Sequence, residues 1–212
     1  MDFIDKFSED TKPKDVSERI YQNRMNQKRE IIKAAFNLFA QQGYYETTLE
    51  AIAKEVGMTR AALYRYFSSK NELLFQCHKV VYEYSIDKLS QLKTIQNPPT
   101  RLSRMLEAHI LLFLEDFPFS SPTLMSIRSF PSEFKNQIIK FRKKIEEPYL
   151  QCLQDWRREF PEQLKNIDNK ILINTLFSAA NAVPKWWDGK SEPQLVAKQV
   201  VSILVDGIQK RE

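Results

Sequence analysis

Glycine is scarce, with four in 212 residues. Gly43, Gly57, Gly189 and Gly207 all stand at or near the ends of helical patterns, and no alternating apolar run bounded by turn residues occurs anywhere. That excludes a fold built on hairpins and sheets. Cysteine and histidine are scarcer still, at two each. Cys77 and Cys152 lie far apart and His78 and His109 share no metal-ligand spacing with them, so neither a disulfide framework nor a zinc site is expected. No Gly-rich phosphate loop or nucleophile motif occurs, which leaves no catalytic constellation and no cofactor to expect. Long apolar runs are missing too: the longest, Ile110 to Leu114, falls far short of the ~20 residues that span a bilayer. No targeting segment is seen, and free thiols in a reducing compartment imply a cytoplasmic protein.

What is present is helical periodicity. Apolar residues recur at three- and four-residue spacings through most of the chain, which predicts an all-α fold of about nine helices. The formal charge of +5 is uninformative as a total and informative in its distribution. Nine Lys/Arg against four Asp/Glu fall between Arg19 and Lys70, so the other 160 residues sum to zero. A basic segment joined to a neutral body fits a phosphate-binding module attached to an uncharged partner domain.

Within the basic segment, TTLEAIAKEVGMTRAALYRYFSSK, Thr47 to Lys70, places two short helical patterns around Gly57. A capping box from Thr47 to Glu50 opens the first, and Leu49, Ile52, Ala53 and Val56 share one face. Gly57 supplies the left-handed turn residue and Thr59 caps the second helix. Leu63 and Phe67 are core. The remaining face, Arg60, Ala61, Tyr64, Arg65 and Tyr66, mixes donors, rings and a small side chain, a surface suited to a DNA groove. A helix over 27–42, ended by Gly43, completes a three-helix module. A second capping box, Ser69 to Glu72, starts a long helix to about Leu92, with Lys70 facing outward as a phosphate clamp. Residues 1–24, polar and without periodicity, read as a flexible arm. Residues 25–70 then form the DNA-binding domain and 71–212 the rest.

The string FNLFAQQGYYETTLEAIAKEVGMTRAALYRYFSSKNELL, Phe36 to Leu74, resembles the N-terminal domain of the tetracycline-repressor (TetR) family of bacterial regulators. It shares the Phe-x-x-x-Gly-Tyr ending of the first helix, the Thr-Thr pair, Gly-Met-Thr at the turn, Leu-Tyr-x-Tyr-Phe, and Lys-x-x-Leu. The resemblance implies a homodimer on a palindromic operator, a repressor released when a small molecule enters the C-terminal domain. By the same resemblance Thr48 bonds a phosphate, Thr59, Arg60 and Ala61 approach base edges, and Tyr64, Tyr66 and Lys70 hold the backbone.

Beyond Gln96, prolines separate segments read as helices at about 100–117, 121–130, 132–160, 168–187 and 192–209, with kinks expected at Pro148 and Pro184. A third capping box, Ser191 to Gln194, is read at the last of them. Candidate linings of a ligand cavity are His109, Phe113, Phe117, Met125, Tyr149, Trp156, Asn181 and Trp186, each of which ordinary core packing also explains. Asn181 to Gly189, NAVPKWWDG, partly resembles the Asn-Trp-x-x-x-Trp-Tyr-x-x-x-Gly pattern of a branch that responds to acyl-CoA thioesters; Ala182 and Trp187 depart from it, and the spacing to the glycine is shorter. A CoA ligand needs basic residues, and Arg128, Arg142, Arg157, Arg158 and Lys185 are available. Two alternatives stay open. One is a regulator of drug efflux sensing lipophilic cations through Glu107, Glu115 or Asp116; the other is a DNA-binding protein with no sensor. For dimerisation, Ile173, Leu176, Phe177 and Ala180 form one stripe and Val196, Val200, Ile203, Leu204 and Gly207 another, unless the protomer core consumes both.

Overall fold

The computed structural model describes residues 14–117 and 130–209, and its fold is all-α. Among these residues eight α-helices follow in order: α1 (Glu18–Gln42), α2 (Leu49–Glu55), α3 (Arg60–Tyr64), α4 (Lys70–Leu92), α5 (Pro98–Leu111), α6 (Ser132–Glu159), α7 (Asn169–Trp186) and α8 (Pro193–Ile208). A π-helical turn, Leu112–Asp116, continues α5. Among the described residues the strand-like pairing is confined to one isolated bridge, Leu164 to Gln209. The helix expected over 121–130, with Met125 and Arg128, lies outside the described residues. None of the described helices is long and apolar enough to cross a membrane. The described chain divides into two compact units, 14–84 with 130–138 and 85–117 with 139–209.

In the first unit, α1 begins at Glu18, well before the expected Gln27. Tyr21 and Met25, one helical turn apart, are both buried, and their stripe runs on through Ile31, Ile32, Ala35, Phe36 and Phe39. That buried pair corrects the arm of residues 1–24 over its helical part; residues 1–13 lie outside the described residues. Gly43 ends α1 at φ +86°, its N–H donating to the Phe39 carbonyl at 3.1 Å. Glycine reaches that backbone conformation without the Cβ clash other residues meet. Ile52, Leu63 and Leu73, all fully buried, form the core that α2, α3 and α4 share with α1.

The second unit is held by a few polar contacts, some exposed and some buried. Asn97 caps α5, accepting from the Thr100 N–H at 3.0 Å. The prolines read as separators at Pro98, Pro99 and Pro193 stand instead in first helical turns, where no backbone donor is needed. Arg101 on α5 pairs with Asp155 on α6 at 2.5 Å. Burial raises the Asp155 carboxyl, but hydrogen bonds from Gln151 and Arg101 and the charges of Arg101 and Arg158 outweigh it and hold the pKa below the ordinary value. The Tyr149 hydroxyl donates to the Met105 carbonyl at 2.9 Å and the Cys152 thiol to the Pro98 carbonyl at 3.2 Å. Both cysteines are free and buried.

α6 and α7 run through Pro148 and Pro184. α8 starts at Pro193 with Glu192 as its N-cap and no side-chain cap, so the Ser191–Gln194 box does not form. The Gln194 amide hydrogen-bonds Glu115 instead.

The two stripes read as dimer contacts have different fates. Ile173, Leu176 and Ala180 are buried within the protomer, so that stripe belongs to its own core. On α8, Val196 turns inward with Ala197, Val201, Val205 and Ile208. Ile203, by contrast, is 73% exposed, on the face it shares with Val200, Leu204 and Gly207.

Candidate functional site

The motif around Gly57 folds as a helix-turn-helix. Gly57 takes φ +66°, and this left-handed residue lets Met58 N–H return to the Ala53 carbonyl at 2.8 Å and end α2. Thr59 caps α3, its hydroxyl accepting from Ala62 N–H at 3.1 Å. α3 is short, and after Tyr64 two tight turns (Arg65 N–H to Ala62, Tyr66 N–H to Leu63) carry the chain to buried Phe67. Thr59, Arg60, Ala61, Tyr64 and Arg65 are all exposed and Tyr66 half-buried, while Leu63 and Phe67 point into the core as expected.

The cap of α2 is Thr48, which accepts from Ala51 N–H at 3.1 Å. The expected Thr47–Glu50 box does not form. Thr47 is fully buried, its hydroxyl donating to the Gly43 carbonyl at 2.7 Å and accepting from Gln42. It closes the α1–α2 loop and is not available to cap. Exposed Thr48, having used an oxygen lone pair on the cap, keeps its O–H proton for another acceptor.

Glu50, released from the box, forms an ion pair with Arg60 of α3. Arg60 also donates to the Tyr64 hydroxyl at 3.0 Å and lies 5.4 Å from the centre of that ring. Its pKa is raised, first by the Tyr64 hydrogen bond and then by the Glu50 charge. Across the module, the Ser69 hydroxyl caps α4 by accepting from Glu72 N–H at 3.0 Å, and the Glu72 carboxylate takes the Ser68 N–H and hydroxyl, both at 2.6 Å.

Lys70 departs from expectation. Its ammonium is turned onto the α1–α2 loop, donating to the carbonyls of Thr47 (2.8 Å), Tyr44 (2.9 Å) and Tyr45 (3.3 Å) and sitting 4.3 Å from the Tyr44 ring centre. The Tyr44 hydroxyl donates to Asn71 at 2.5 Å, drawing the same loop onto the start of α4. The outward-facing phosphate clamp is therefore corrected to a lysine whose three donors hold the backbone ahead of Thr48.

In the second unit, four of the candidate cavity residues meet. His109 Nε2 lies 2.9 Å from Asn181 Oδ1. The His109 ring stacks on Phe177 at 5.2 Å and takes Phe113 edge-on at 5.5 Å, and Tyr149 meets Phe177 edge-on at 4.8 Å. Phe177, read only as part of a dimer stripe, is the residue that ties the group together. Phe113 reaches it from the π-helical turn, whose Phe117 N–H spans back to Leu112 at 2.7 Å. Extra-wide turns of this kind often sit beside functional sites.

The space beside this group is about 10 Å³, lined by Ser85, Lys88, Leu89, Ala108, His109, Leu112 and Tyr149. That is room for about one water. Trp186 is 58% exposed at the end of α7 and stands apart from this group. Trp156 and Phe117 are fully buried core residues.

Of the basic residues considered, Arg157 is committed to Asn169 and to the Lys165 and Ile167 carbonyls, and Arg158 to Asp155 and Glu159. Lys185 is exposed. The acids are engaged as well: Glu107 by Arg104, Asp116 by Lys88 and Glu115 by Gln194.

Burial lowers the His109 pKa below 6.5 against the opposing Asn181 hydrogen bond. A lowered folded value means the unfolded chain takes up this proton first as pH falls. The contribution is thus whole above the unfolded value and is lost on acidification toward the folded one. Stability should fall below pH 6.5 with a slope from this group of at most ~1.4 kcal/mol per pH unit. Denaturant midpoints for the wild type and His109→Gln across pH 5 to 8 check this; the difference between the two should change only below about pH 6.5.

Comparison with known proteins agrees with both halves. A family model described as bacterial regulatory proteins, tetR family, matches residues 31–77, and one described as tetracyclin repressor-like, C-terminal domain, matches 96–208. The fatty acid metabolism regulator protein of Bacillus subtilis is 24% identical over 198 residues, covering 88% of this chain and 100% of that protein. The HTH-type transcriptional regulator HbdR of Aromatoleum is 37% identical over 102 residues, 47% of this chain and 40% of HbdR.

Among solved structures, a tetR-family regulatory protein from Rhodococcus RHA1 superposes with a TM-score of 0.78 at 19% identity, covering 87% of this chain and 98% of that one. FadR of Bacillus subtilis, in complex with stearoyl-CoA, gives 0.69 at 22% identity over 84% and 98%. Two family models that span the helix-turn-helix and most of the remaining chain leave one conclusion: the chain belongs to the tetR family of bacterial regulatory proteins, a DNA-binding transcription regulator and not an enzyme.

Proposed function

We propose that this regulator is a homodimeric repressor that binds a two-fold-symmetric operator through α3 and leaves it when a long-chain acyl-CoA thioester enters the second unit. The observation that carries the DNA half is the face of α3. Thr59, Arg60, Ala61 and Tyr64 stand exposed on one short helix, held by the Gly57 turn and the buried Leu63. In this reading Arg60 forks onto a guanine edge and Thr59 and Ala61 pack beside neighbouring bases. Thr48, Tyr64 and Tyr66 bond phosphates, and Lys70 acts there through the loop it holds. Residues 25–70 serve as the DNA-binding domain and 71–212 as the sensing and dimerising part.

The ligand half is supported by the full-length relative that regulates fatty acid metabolism and by the FadR fold with stearoyl-CoA. It is further supported by the aromatic group of Phe113, Tyr149 and Phe177 around the His109–Asn181 pair. The space beside these rings is about 10 Å³, so an acyl chain entering there would displace them, and that displacement would be the conformational work the ligand does. A lipophilic cation would need an unengaged acid among aromatics, and Glu107, Glu115 and Asp116 are all engaged.

Gel-shift of the protein on its own upstream DNA against acyl-CoAs, the matching free acids and a lipophilic cation tests this. Release by long-chain acyl-CoA alone is the expected result. Release by the cation alone would contradict the ligand class.

For the dimer, Ile203 on the outward face of α8 is the anchor. Ile203→Glu places a charge in an apolar contact and should weaken self-association at least tenfold, a cost on the order of 1.4 kcal/mol or more. Analytical ultracentrifugation checks it, together with retained helicity.

A further inference from the structure

Glu50 presents a puzzle for a surface meant to approach DNA. It is a carboxylate on α2, about half exposed, two residues beyond the exposed Thr48 cap, where it adds repulsion toward phosphate. Its partner is nonetheless specific: it pairs with Arg60 Nη1 while the Tyr64 hydroxyl accepts from Arg60 Nη2. The guanidinium is thus held from both sides, by a residue of the preceding helix and by one a turn later on its own helix.

We propose that Glu50 and Tyr64 form a clasp that fixes the Arg60 guanidinium for base reading, making Glu50 a specificity-determining residue that never touches a base. The inference rests on the DNA-reading role proposed for α3. A guanidinium carries five N–H donors, so two spent on the clasp leave three, enough for the two parallel bonds a guanine O6/N7 edge accepts. A free arginine searches many rotamers and settles on whatever acceptor is nearest, phosphates included. A braced one arrives oriented, and a wrong base meets donors that cannot swing aside to another partner. The carboxylate therefore lowers affinity for DNA in general and sharpens the choice among sequences. The clasp is solvent-exposed, so its influence is modest, about two- to fivefold at the base pair Arg60 reads.

The test is selection of the intact protein on randomised duplex DNA, with competition titrations against an unrelated duplex, for the wild type, Arg60→Ala, Glu50→Gln and Tyr64→Phe. Wild-type enrichment of a symmetric site establishes the DNA reading on its own. Arg60→Ala identifies the base pair Arg60 reads by flattening it. Glu50→Gln, which keeps side-chain length and removes the charge, should then relax preference at that same base pair by about two- to fivefold while binding the unrelated duplex more tightly. Tyr64→Phe should relax the same position. Unchanged preference there in Glu50→Gln, with Arg60→Ala flattening it, overturns the clasp and leaves the DNA reading standing. An Arg60→Ala profile with no flattened position overturns it as well. A wild type that enriches nothing overturns the DNA reading itself. Circular dichroism melts of each variant, expected to match the wild type, separate these effects from unfolding.

Discussion

Arg60→Ala should flatten the preference at the one base pair per half-site that Arg60 reads and weaken binding to the selected site by orders of magnitude, while leaving the fold and the dimer unchanged. The side chain is 55% exposed and makes no core contact, and its partners Glu50 and Tyr64 are themselves at the surface and can be hydrated when it goes. A bidentate arginine–guanine contact is worth about 1–3 kcal/mol of discrimination. Two copies in a symmetric complex double that to roughly 2–6 kcal/mol, or about 30- to 10⁴-fold in affinity for the chosen site. Binding to unrelated DNA should fall far less, because it rests on phosphate charge alone. Fluorescence anisotropy on the selected and an unrelated duplex, with a melting curve as control, measures both quantities.

Lys70→Met should lose stability as well as DNA affinity, and the combination distinguishes a lysine that holds a loop from one that touches a phosphate. The ammonium gathers the Tyr44, Tyr45 and Thr47 carbonyls and lies against the Tyr44 ring. Methionine keeps the stem and removes every donor. Hydrogen bonds from a charged donor are worth about 1.5–3 kcal/mol net, with part of the loss recovered because the loop is only half-buried and water can reach it, so a deficit of about 2 kcal/mol is expected. The loop then no longer fixes the entry to α2, and Thr48 loses its place. A phosphate contact alone would reduce affinity and the salt dependence of binding while leaving the melting temperature unmoved. Urea unfolding midpoints read the difference.

The helix-turn-helix was legible because its local chemistry and its tertiary role coincide. Gly57 is demanded by the turn, Thr59 by the cap, and Leu63 and Phe67 by the core, and each shows in spacing alone. Where neighbours in sequence competed for one role, spacing could not arbitrate. Thr47 and Thr48 are both plausible caps, and the choice was made by Gly43 and Gln42, which take the Thr47 hydroxyl into the loop. That choice also freed Glu50 for Arg60. The Lys70 interaction was illegible for the same reason: its acceptors lie 23 to 26 residues earlier, and carbonyls carry no sequence signature.

The start of α1 did leave a trace in Ile20, Tyr21 and Met25, a few apolar residues at helical spacing inside a polar run. In the second unit, the candidates His109, Phe113, Tyr149 and Asn181 do come together, but spacing could not tell Phe177, which turns to His109, from its neighbours Ile173, Leu176 and Ala180, which face the core. Nor could it show that Trp186 sits at the last turn of α7, where the surface is close.

The most direct test of the regulator as a whole is an anisotropy titration of the intact protein on its own upstream duplex over a series of salt concentrations. The expected result is saturation at a multiple of two protomers per duplex, with affinity falling steeply and linearly in log–log form as salt rises, and a marked preference over a scrambled duplex. Equal affinity for the scrambled duplex, or saturation by a single protomer, would contradict a dimer that reads sequence through α3.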